Sequence, residues 1–113
     1  MWRRTAFRWT IRYDDPLMAA EVADRVAEVI ATWQQLYPKI YSDGWMTGSA
    51  LGIIQVGMVV FRRDRWECDR AARRFAGALA LRAKVRVQEV WRPDQDNLPH
   101  FSKQANYCSP EVS

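Results

Sequence analysis

Residues 4–13, RTAFRWTIRY, alternate without a break: Phe7, Trp9, Ile11 and Tyr13 hold one parity, and Arg4, Arg8, Thr10 and Arg12 the other. Successive side chains of a strand point to opposite faces, so this period of two predicts a half-buried strand with aromatics inward and arginines outward. A second segment, 84–92, alternates in the same way. Val85, Val87 and Trp91 are expected on one face and Arg86, Gln88, Val90 and Arg92 on the other.

Between these strands the period changes. Asp15 followed by Pro16 offers an N-cap and a first-turn proline, and Met18, Val22, Val26, Val29, Trp33 and Leu36 then recur at helical spacing up to Pro38. This predicts a helix over 16–36, with a small-residue stripe at Ala20, Ala23, Ala27 and Ala31 that favours close packing. Residues 39–52 give mixed signals: SDG reads as a turn, and WMTGSAL as a short, glycine-weakened edge strand. IIQVGMVVFR, 53–62, is rich in β-branched residues and broken by glycine, which predicts a third strand. Asp64 and Glu67 resemble a capping box, and Cys68, Ala71, Ala72, Phe75, Ala78 and Leu79 mark the apolar side of a second helix ending near Ala83. From Pro93 onward there are three prolines and no period, so 93–113 is expected to be a C-terminal arm.

The reading is therefore a single α+β domain over 1–92 followed by an arm over 93–113. The order β-α-β-β-α-β matches the ferredoxin-like arrangement, a four-stranded antiparallel sheet with two helices on one face. In that arrangement the first and third strands are central and the fourth lies beside the first. Many unrelated functions share this architecture, so the fold does not choose among them.

A chain of 113 residues, 49% hydrophobic, suits one core. Its longest apolar run, Leu51 to Phe61, is interrupted by Gly52, Gln55 and Gly57 and is too short to span a bilayer. The charged, alternating start lacks the pattern of a secretory leader, so a cytoplasmic location with no membrane partner is the expectation. Cys68 and Cys108 are too far apart in sequence for a CxxC motif and are expected to be free thiols.

The net charge of +4 is unevenly spread. The cations gather in 1–13, 62–74 and 75–92, while 14–61 and 93–113 are net acidic. If the first and last strands are neighbours, Arg8, Arg12, Arg86 and Arg92 share the open face of the sheet. The stretch RRDRWECDRAARR, 62–74, holds six arginines and three acids, and places Trp66, Arg70 and Arg73 on one side of the second helix. These seven residues are the candidates for nucleic-acid contact through phosphates and base stacking. The competing reading is a solvated surface. The aromatic pattern of an RNA-recognition sheet is missing, because Phe7 and Trp9 belong to the face expected in the core.

The third strand is apolar on both faces, with Ile53, Gln55, Gly57, Val59 and Phe61 on one and Ile54, Val56, Met58 and Val60 on the other. Helices can cover one of them. The other leaves an apolar strip on the open sheet, and such strips mark interfaces. The expected interface comprises Val56, Met58, Val60 and Phe61, with Phe101 and Tyr107 from the arm, which could fold back in the same chain or reach a partner.

Catalytic material is thin. His100 and Cys108 lie in the arm, Asp14 and Asp15 precede a helix and suit capping, DQDN lacks the rest of a calcium loop, and Gly44, Gly48 and Gly52 lack the lysine of a phosphate loop. No cofactor or metal is expected. The leading expectation is a non-enzymatic protein-binding or assembly module that associates with itself or another protein. A nucleic-acid-binding protein is the first alternative, and a small enzyme with its site between two facing sheets is the second.

Overall fold

Two ten-residue strands, β1 (Arg3–Arg12) and β3 (Ile53–Arg62), pair antiparallel along their whole length, from Arg3 opposite Arg62 to Arg12 opposite Ile53. Around them the chain adds α1 (Ala19–Leu36), β2 (Tyr41–Ala50), α2 (Arg65–Ala83) and β4 (Arg86–Trp91). The sheet order is β2-β3-β1-β4, the ferredoxin-like arrangement. The structure is a computed structural model in which residues 2–91 are described. Arg92, His100, Phe101, Tyr107 and Cys108, and with them the arm, lie outside the described residues.

An aspartate cap opens the turn that leads into α1, and another opens α2. Asp15 Oδ1 accepts the Leu17 amide at 3.0 Å, but the turn it opens, Pro16–Met18, is a 3₁₀ turn, and α1 proper starts at Ala19 rather than at Pro16. Asp64 Oδ1 accepts the Glu67 amide at 2.9 Å. The reciprocal half of a capping box is not made, because the Glu67 carboxylate turns toward Arg62, 3.6 Å away. α2 ends at Ala83, and the C-cap Lys84, with a left-handed φ of 58°, leads the chain toward β4.

The core lies between the helices and one face of the sheet. Phe7, Trp9 and Ile11 of β1 and Ile54, Val56, Met58 and Val60 of β3 meet Val22, Val26, Val29 and Ile30 of α1 and Cys68, Ala72, Phe75 and Leu79 of α2. This corrects the expected interface. Val56, Met58 and Val60 are sealed under the helices, at 0%, 1% and 0% exposure. The reason lies in their neighbours: the other parity of β3 carries Gln55 and Gly57, so burying the uninterrupted set removes more apolar area from water and strands no amide.

β2 is longer than predicted. The SDG segment does not turn the chain but lies inside the strand as a bulge, where the register shifts between Ser42 and Trp45 and Asp43 takes a φ of 52°. The Gly44 amide donates to Gln34 Oε1 of α1 at 2.7 Å. A second irregularity lies in the β1–β4 ladder, where Ile11 is opposite Val87 but Thr10 is opposite Glu89. The extra residue reverses the parity of the rest of β4, so Trp9 is opposite Val90 and Arg8 is opposite Trp91. The unbroken alternation expected for 84–92 therefore fails after Val87. Among the described residues, no helix is long and apolar enough to cross a membrane.

Candidate functional site

With the helices on one side, the sheet turns the remaining parity of each strand outward. β1 contributes Arg4, Ala6, Arg8, Thr10 and Arg12, and β3 contributes Ile53, Gln55, Gly57, Val59 and Phe61. Phe61 is thus the one described member of the expected interface that lies on the open face.

Two aromatic features build this face, and neither was expected. Trp2, just before β1, stacks on Phe61 with ring centroids 5.4 Å apart and remains 57% exposed. Trp45 of β2 lies opposite Gly57 and rests its indole directly on that glycine. A Cβ added at Gly57 would come within 2.2 Å of the indole, so the strand glycine is there for a close approach. Trp45 is still 43% exposed. The glycine inside an otherwise β-rich run was the available signal. Composition does not reveal that Trp45 is its partner, because the bulge between Ser42 and Trp45 sets the register that brings the two together.

Beside the aromatics runs a cationic row. Arg12 and Arg86 are directly opposite one another, as expected from the placement of β4 beside β1. Arg12 Nε donates to Gln88 Oε1, Arg86 pairs with Asp14 at 2.7 Å, and Arg4 pairs with Asp43 at 3.7 Å. Both of the latter pairs are largely exposed, so they hold the guanidinium groups weakly. Arg8 is half-buried between its neighbours. The expected sheet patch is therefore assembled for Arg8, Arg12 and Arg86, while Arg92 falls outside the described residues.

The second expected patch lies elsewhere. Trp66, Arg70 and Arg73 are exposed on α2, across the sheet from the first patch, so the two basic regions do not form one surface. The Arg70 guanidinium sits 4.8 Å from the centre of the Trp66 ring. This cation–π contact already occupies one face of the indole.

A cavity of about 130 Å³ opens beside α2, lined by Ile40, Tyr41, Arg62, Glu67, Arg70, Ala71 and Arg74. Tyr41 closes its inner wall, donating its hydroxyl to the Ala71 carbonyl at 2.8 Å. Burial pushes the Tyr41 phenol above the usual tyrosine range, against the opposing influence of Trp33, Arg74 and Arg62. Sequence reading counted these arginines but could not gather them, since Arg62 comes from the end of a strand and Arg74 from the middle of a helix.

Among the described residues, no group of three or more His, Cys, Asp or Glu side chains is placed to hold a metal ion. Cys68 is a buried free thiol in the core.

No protein-family model matches the chain, and no curated protein matches it. Among solved structures it is similar to a de novo designed protein, Foldit4, at 14% identity over 80% of this chain and 96% of that one, with a TM-score of 0.45.

Proposed function

We propose that this chain is a non-enzymatic binding module that docks a protein partner on its open sheet face. The observation that carries the reading is the exposed aromatic strip formed by the Trp2–Phe61 stack and by Trp45 lying over Gly57, flanked by Arg4, Arg12 and Arg86. Aromatic and arginine side chains dominate the energetic centres of protein interfaces, and exposed apolar patches on folded domains mark contact sites. Pairing this face with a second copy of itself would set one arginine row against another. Like charges juxtaposed across an interface oppose association. A partner with carboxylates opposite the arginine row is therefore favoured over self-association.

The test compares face and helix variants of the purified chain. A partner captured from the native host should be retained by the parent and by Trp66→Ala, and lost by the double variant Trp45→Ala/Phe61→Ala. Light scattering should give a monomer for the chain alone. Capture that survives the face variant would refute the reading. Saturable binding of mixed-sequence oligonucleotides at about 50 mM salt, weakened by Arg12→Ala, would replace it with nucleic-acid binding, because phosphate contacts are strongest at low salt.

A further inference from the structure

The cavity beside α2 lies on the helix side of the sheet, remote from the aromatic strip, and its chemistry differs from that of the open face. We propose that it is a binding site for the dianionic head group of a phosphomonoester. Three arginines line it, Arg62 at the end of β3 and Arg70 and Arg74 on one stripe of α2, with Glu67 the single carboxylate residue among them. That leaves two positive charges in excess, which matches a phosphomonoester dianion better than a carboxylate.

Each arginine has a distinct setting. Arg62 is held by Glu67 at 3.6 Å, and that interaction leaves Glu67 Oε1 buried without a hydrogen-bond donor at bonding distance. Arg70 is braced by the Trp66 ring, so its guanidinium plane is restricted before any ligand arrives. Arg74 has neither an ion-pair nor a hydrogen-bond partner among the described residues. A braced guanidinium and an unpaired one facing the same small space can donate to phosphate oxygens without first breaking an internal contact. The start of α2 is not the source of this site, because the Asp64 side chain already caps its first turn.

The cavity has room for several waters, more than a phosphoryl group requires. A phosphoryl group fits the cavity, and its open side leaves room for an ester substituent. Ile40 and Tyr41 add apolar surface to a lining otherwise dominated by charged side chains.

Titration of the full chain with phenyl phosphate and with inorganic phosphate, followed by ³¹P NMR and calorimetry, tests the proposal. The expected result is one saturable site that accepts phenyl phosphate. Arg74→Ala should weaken it by about tenfold or more, the scale of losing one charged hydrogen bond. Arg73→Ala, one residue away but outside the cavity, should leave it unchanged. Binding should tighten as pH rises through about 6, where a phosphomonoester loses its second proton. Arg74→Gln, which keeps the side chain polar, serves as a second variant, with thermal unfolding showing that each variant is folded. Absence of saturation, equal weakening by Arg73→Ala and Arg74→Ala, or acceptance of inorganic phosphate with exclusion of phenyl phosphate would each overturn the proposal. Loss of the open-face variants' partner has no bearing on it, so the two readings fail separately.

Discussion

The two faces of this sheet are cut from the same strands and solve opposite problems. On the helix side, Phe7, Trp9 and Ile11 meet Phe75 and Leu79, and every one of these side chains is withdrawn from water. On the other side, β1 shows arginines at positions 4, 8 and 12 while β3 shows Val59 and Phe61, so charge and aromatic surface lie next to each other in solvent. The covered face gains its energy from apolar area removed from water on folding. The open face leaves much of its aromatic area in water, so the same kind of side chain contributes less to folding there. The difference is between surface fully used in folding and surface only partly used.

The largest expected contrast comes from truncating one phenylalanine on each side. Phe75 is fully buried and touches both Trp9 and Tyr41, with ring centroids 5.1 and 6.0 Å away. Phe75→Ala should destabilise the fold by about 3–5 kcal/mol, the range for emptying a large aromatic site. Phe61→Ala, which removes a 37% exposed ring stacked on Trp2, should cost about 1 kcal/mol. Urea unfolding reads both, and equal losses would erase the distinction between the faces.

Gly57 sharpens the comparison from the open side. Gly57→Ala forces the Trp45 indole off the strand, with an expected loss of about 1–2 kcal/mol and a change in tryptophan fluorescence. In a Trp45→Ala background the same substitution should cost nothing, or stabilise slightly, because alanine suits a strand interior better than glycine. A double-mutant cycle showing no coupling would mean that the indole does not rest there.

On the covered side, Thr5 breaks the rule that the core is apolar. It is 3% exposed, and its hydroxyl has no hydrogen-bond partner among the described residues. Thr5→Val keeps the shape and removes the stranded hydroxyl, so thermal unfolding should show a gain of about 1 kcal/mol. A loss would reveal that the hydroxyl is satisfied in solution.

Much of this was legible in the chain itself. The alternation of Phe7, Trp9 and Ile11 against Arg8, Thr10 and Arg12 placed β1 and its inward face, because strand geometry leaves one solution for such a pattern. The aspartate caps located the helix starts to within three residues. What escaped was whatever depends on an insertion. One bulge in β2 turned an expected turn into strand and hid the pairing of Trp45 with Gly57, and another in β4 reversed the parity after Val87. A bulge adds a residue without changing local composition, so period counting cannot see it. For β3, composition along the two faces was nearly balanced, and the decision rested on Gln55 and Gly57. The cavity arginines were visible as a dense run, but only the packing of α2 against the sheet gathers Arg62, Arg70 and Arg74.

The bulge at Asp43 and Gly44 also bears on how copies of this chain can meet. β2 is one of the two edge strands, and an edge strand offers its unpaired backbone groups as a template on which another chain can add. Here the even spacing of that template is broken near its start, and the Gly44 amide is turned inward to Gln34. A strand arriving from another molecule would lose register within a few residues. Addition of a further strand is thus disfavoured along β2, although the aromatic face itself stays open.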